Sequence, residues 1–98
     1  MLESDAIQLL QTWYKAQCND DWEHHYGVKI DTLDNPGWTV TIDLDGTSKA
    51  DHNFEKVISK VSERDWFQCW KEGTKFRGVG GPEKLQVILH CFLRFVGD

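Results

Sequence analysis

Apolar residues recur at helical spacing from Ser4 to about Cys18, where Ala6, Ile7, Leu10, Trp13 and Tyr14 share one face. Ser4 or Asp5 is placed to cap the start. Asn19-Asp20-Asp21 then ends the helix, because short polar side chains compete for backbone hydrogen bonds. From Gly27 the period changes to two. Val28, Ile30 and Thr32 face one way, Lys29 and Asp31 the other, which predicts a strand. Asn35-Pro36-Gly37-Trp38 reads as a tight turn: Pro presets φ, and Gly tolerates the positive φ of a type II turn. Trp38, Val40, Ile42 and Leu44 alternate with Thr39, Thr41, Asp43 and Asp45, so a second, half-buried strand closes a hairpin.

After the Asp45-Gly46-Thr47 turn signal the chain is polar up to residue 53. Between Phe54 and Ser62, Val57, Ser59 and Val61 alternate with Lys56, Ile58 and Lys60, a weaker strand. Asp65 to Lys71 is another, with Trp66 and Trp70 on one face and Phe67 and Cys69 on the other. Glu72-Gly73-Thr74 turns the chain into a short strand from Lys75 to about Val79. Gly80-Gly81 reads as a strand-to-helix turn needing positive φ, and Pro82 as the first turn of a closing helix. Leu85, Ile88, Leu89, Phe92 and Val96 mark one face of that helix, and Gly97 stops it. The expected architecture is α+β: an antiparallel meander of four to five strands, with the N-terminal and C-terminal helices packed on one sheet face. The strand order is left open.

At 98 residues the chain makes one domain, 1–98, around one modest core. Twelve aromatics, five of them Trp, are many for that length, and packing accounts for most. The net charge is −5 and is unevenly spread: residues 1–53 carry ten acids against three bases, residues 54–98 six against eight. An acidic half argues against nucleic-acid binding, which needs clustered Lys and Arg, and suits docking onto a basic protein. The apolar stretch from Leu85 to Val96 is too short to span a bilayer, and the start of the chain has no export-signal pattern. Cys18, Cys69 and Cys91 form no CxxC spacing, so a reducing cytoplasm is the expected location.

Asp20-Asp21-Trp22-Glu23-His24-His25-Tyr26-Gly27 concentrates ionisable and aromatic groups. It lacks ligand spacing such as HExxH, so neither a metal nor a cofactor is expected. No spacing enforces an acid–base pair or an activated nucleophile, and an enzyme is not expected. Gly78-Val79-Gly80-Gly81 fits neither phosphate-loop pattern. What remains is a loop either pinned to the core by Trp22 and Tyr26 or presented to a partner.

The ordered series Trp13-Tyr14, Gln17-Cys18-Asn19, Asp21-Trp22-Glu23, Tyr26-Gly27, Thr32 to Trp38 and Ile42-Asp43-Leu44, then Asp65-Trp66, Cys69, Phe76 to Gly81 and the closing helix, resembles the immunity protein 53 family of bacterial polymorphic-toxin systems. The blocks DWExxYG and TLDNPGW carry most of that resemblance. It implies a small cytoplasmic protein that binds and neutralises a cognate toxin C-terminal domain, and it brings no catalytic residues with it. A nuclease, commonly basic, is a fitting toxin for an acidic inhibitor. The expected toxin-binding residues are Asp20, Asp21, Trp22, Glu23, His24, Tyr26, Asp34 and Asn35, on a monomer or weak homodimer. Two alternatives stand beside this reading. One is a small ligand-binding domain or enzyme with the Trp22–Tyr26 loop as pocket wall. The other places the partner over the Lys56, Lys60, Arg64 and Arg77 side.

Overall fold

A computed structural model describes residues 5–97, and Asp5 by its backbone only; the expected cap from Ser4 or Asp5 lies outside that description. The elements in chain order are α1 (Asp5–Gln17), α2 (Trp22–His25), β1 (Val28–Leu33), β2 (Gly37–Asp43), β3 (Val57–Lys60), β4 (Trp66–Glu72), β5 (Lys75–Gly80) and α3 (Leu85–Gly97). The five strands form one antiparallel sheet in the order β1-β2-β5-β4-β3. Successive strands pair within β1-β2 and within β3-β4-β5, and the two runs join where β2 pairs with β5. The α+β expectation holds, and the strand order that the sequence left open is now fixed.

The register assigns every side chain to a face. Val28, Val40, Ile42, Phe76, Cys69 and Val57 fall on the inner face, against α3. Ile88, Leu89 and Phe92 of α3 are buried on them, and the Phe76 and Phe92 rings meet edge to face at 5.2 Å. Helix α1 packs chiefly on α3 through Ala6, Leu10 and Trp13, whose ring stands 4.8 Å from that of Phe92. With one principal neighbour, α1 buries a narrow stripe. Ile7 and Tyr14, expected on its inner face, are exposed.

Three local expectations change. The β1–β2 turn is Asp34-Asn35-Pro36, with Gly37 already in β2 opposite Leu33. Gly37 has no positive φ; a Cβ there would lie 2.3 Å from the Gly80 carbonyl oxygen, so close strand approach demands the glycine. Gly80 and Gly81 likewise lack positive φ, and a Cβ on Gly81 would lie 2.0 Å from the Arg64 carbonyl oxygen. Pro82 and Glu83 form a turn ahead of α3, which begins at Leu85. The Pro82 carbonyl accepts the Trp38 indole N–H at 2.9 Å, fastening β2 to that turn.

Among the described residues, no helix covers the opposite face of the sheet. Lys29 and Asp31 of β1, Thr39 and Thr41 of β2, Arg77 and Val79 of β5, Trp66, Gln68 and Trp70 of β4, and Ile58 and Lys60 of β3 point to it by register.

Candidate toxin-binding surface

The residues 18–27 are held by their own polar groups. Asn19 Oδ1 accepts the N–H of Asp21 at 3.0 Å and of Trp22 at 2.9 Å, capping the short α2. Glu23 reaches back, its carboxylate accepting the N–H of Asn19 and of Asp20, each at 2.9 Å. This is a capping box with one extra residue, and it holds Asp20 at φ +72, a left-handed conformation that aspartate tolerates better than most residues. Its own backbone N–H, then those of Asn19 and Asp20, keep the Glu23 carboxyl below its ordinary 4.5.

Trp22 is 5% exposed. Its indole N–H donates to the Asp45 carbonyl at 2.7 Å, and its ring lies 5.9 Å from Trp13 and 6.0 Å from both Tyr14 and Tyr26. The anchoring role foreseen for Trp22 is its place in the fold, where it ties α2 to α1 and to the end of β2. Below it, Asp43 joins three segments: Oδ2 accepts the Gly27 N–H at 3.0 Å, Oδ1 accepts Lys75 Nζ, and the Asp43 N–H donates to the Gly27 carbonyl at 3.1 Å. That ion pair raises the Lys75 pKa above its ordinary value.

Of the expected binding residues, Asp20, Asp21, His24 and Tyr26 face solvent around α2, and His25 sits 3.6 Å from the Asp21 carboxylate. Asp34 and Asn35 are exposed too, but at the far end of the β1–β2 hairpin, about 20 Å of extended chain away. The structure brings the first four together and leaves the other two apart. Beside α2 a half-open recess of about 430 Å³ is lined by His24, His25, Tyr26, Lys29, Asp43 and Lys75, among others. Glu23, His24 and Tyr26 of the Trp22–Tyr26 loop line the recess, but the Trp22 indole is turned away into the core and is not part of the wall. Lys29, Thr41, Asp43 and Lys75 in that lining stand on the helix-free sheet face. The α2 segment is therefore a rim of that face.

A model of a known family matches residues 7–97, nearly the whole chain; its description is immunity protein 53. The chain belongs to that family. No curated protein and no solved structure matches it. Within this immunity protein 53 chain, DWExxYG supplies the Glu23 half of the capping box, the buried indole and the Gly27 link, while TLDNPGW supplies the first hairpin and its joint with β5.

Sequence reasoning passed over three structural residues. Asn19 reads as a helix stop and is also a helix start, with Glu23 four positions on as the available signal. Asp43 gave no signal beyond its alternation. Lys71 sits at an inward register position, and its ammonium donates to the carbonyls of Ala50 at 2.6 Å and His52 at 2.7 Å, strapping the β2–β3 connection to the sheet. Among the described residues, no three His, Cys, Asp or Glu side chains converge as a metal would require. No helix there is long and apolar enough to cross a membrane.

Proposed function

We propose that this immunity protein 53 chain binds a cognate bacterial toxin C-terminal domain and neutralises it by covering its working surface. The observation that carries the reading is the family match over residues 7–97. The acidic rim supports it: Asp20 and Asp21 flank His24 and Tyr26 in solvent, a group suited to docking on a basic protein. A basic toxin domain that cleaves nucleic acid fits this rim. Its positive substrate-binding surface and the rim attract one another, and a bound inhibitor excludes the substrate. Trp22 and Glu23 contribute by holding the rim in shape, while Asp20, Asp21, His24 and Tyr26 make the contacts, with Asp34 and Asn35 reached only by a partner that spans the hairpin. The protein acts in the cytoplasm, as a monomer or weak homodimer that its toxin captures.

Co-expression with the C-terminal domain encoded by the neighbouring reading frame tests this directly. The expected result is a stoichiometric complex on co-purification and survival of cells that the toxin domain alone kills. A toxin domain that kills equally well in the presence of the folded protein, and leaves no complex, would end the reading.

A further inference from the structure

The helix-free sheet face is built unlike a solvated surface. Trp66 and Trp70 of β4 both point to it and are half-buried, Val79 lies on it, and Ile58 of β3 is 61% exposed at its edge. Trp70 is flanked by cations: Arg77 lies 5.9 Å and Lys56 Nζ 5.8 Å from its ring centroid. Lys60, paired with Trp66 across β3 and β4, adds a further cation. On the three strands β3, β4 and β5 the outward-pointing carboxylate is Glu72, already beside Arg77 at 3.5 Å. A chain of net charge −5 thus gathers Trp, Arg and Lys on the β3–β5 part of one face, with Asp31 and Asp43 on its β1–β2 part and Asp20 and Asp21 at the α2 rim beyond. Buried Trp and Arg at the centre of a contact carry much of the affinity in protein complexes. Five strands about 4.8 Å apart, four to seven residues long at about 3.4 Å per residue, give a platform on the order of 500 Å² in projection. With its side-chain relief and the α2 rim, that approaches the roughly 800 Å² per partner of a standard interface.

The geometry points to this face as the seat of the toxin domain itself: a partner that presents carboxylates to Lys56, Lys60 and Arg77, an apolar side chain between Trp66 and Ile58, and basic groups to the α2 rim. The inference rests on the toxin-binding reading and deepens it. The α2 rim alone offers acids and one tyrosine and lacks an apolar centre, whereas the platform has that centre and is continuous with the rim through Lys29, Thr41 and Lys75. A protein is favoured over a single-stranded nucleic acid, which also stacks on sheet tryptophans, because Asp31, Asp43 and Glu72 stand on the same face and the whole chain repels phosphate.

The test uses the full chain and the toxin domain encoded beside it, with affinity measured by calorimetry and folding checked by thermal melting. Lys56→Glu with Lys60→Glu, both exposed, is expected to weaken binding at least tenfold at unchanged melting temperature. Trp66→Ala is expected to weaken it more, and Trp66→Phe to restore most of the loss. Should the wild type bind and the charge-reversed variant bind within twofold of it, this inference falls while the toxin-binding reading stands. Should the wild type not bind at all, that reading falls first. A single-stranded oligonucleotide, or a second copy of the chain, bound across Trp66 in place of the toxin would overturn the inference.

Discussion

Glu23 accepts the N–H groups of Asn19 and Asp20, and those bonds exist in full only while its carboxyl is ionised. Its folded pKa lies below the ordinary 4.5, so its contribution to stability is fully present above about that pH. The contribution is lost as pH falls through the depressed folded value. Glu23→Gln is therefore expected to be less stable than wild type at pH 7, with the difference shrinking below pH 4.5. Urea denaturation of both proteins from pH 3 to 7 isolates this carboxyl, because every other group titrates in both; a gap that stays constant throughout refutes it. Trp22 is the heavier residue of the same loop. Removing its buried ring in Trp22→Ala should cost about 3–5 kcal/mol, whereas His24→Ala, at an exposed site, should stay within about 0.5 kcal/mol. Cys91 shows how one thiol alters another. The neighbouring Cys69 thiol, and then Arg94, bring its pKa down to about 7, while the buried Cys69 thiol is pushed up. Iodoacetamide at pH 7.5 should label Cys91 and leave Cys69 untouched in the folded chain, as peptide mapping would show.

At the scale of elements, β5 is the joint of the molecule, paired with β2 on one side and β4 on the other. Helix α3 approaches it so closely that a Cβ on Gly78 would lie 2.5 Å from Ile88 Cγ2. Gly78→Ala should thus cost about 1–3 kcal/mol through overpacking. In an Ile88→Leu background, which removes that methyl, the same change should cost clearly less; equal penalties in a double-mutant cycle would show that the contact is not the cause. These glycines also explain what the sequence did and did not make legible. The alternation from Trp38 to Leu44 and the stripe Leu85, Ile88, Leu89, Phe92 follow from local periodicity, and β2 and α3 form as that pattern predicts. The seam between β2 and β5 does not, because it depends on whether Gly37 and Gly80 let two distant backbones meet. Read locally, both looked like turn residues. Helix α2 was hidden for a related reason: its four residues are too few for a periodicity, and its indole is held by a carbonyl 23 positions away. The acidic, exposed residues around α2 were readable by type, but the separation of Asp34 from Asp20 needed the length of β1.

At the scale of the whole molecule, the proposed seat of the toxin domain divides the work of binding between charge and apolar surface, and so between two rates. On that proposal the acids at the α2 rim would attract a basic partner before contact and then remain wet at the edge of the complex. The tryptophans of the open face would act only at contact, where water is removed from both surfaces. Reversing Asp20 and Asp21 to Lys should therefore slow association several-fold at low ionic strength, with dissociation nearly unchanged, and the effect should fade as salt approaches 0.5 M. Trp66→Ala should do the opposite, speeding dissociation at any salt while association changes little. Stopped-flow measurements with the toxin domain across a salt series separate the two. If reversal at the rim acted on dissociation and was insensitive to salt, those acids would be desolvated contacts at the centre of the interface, and the division of roles between rim and sheet face would be wrong.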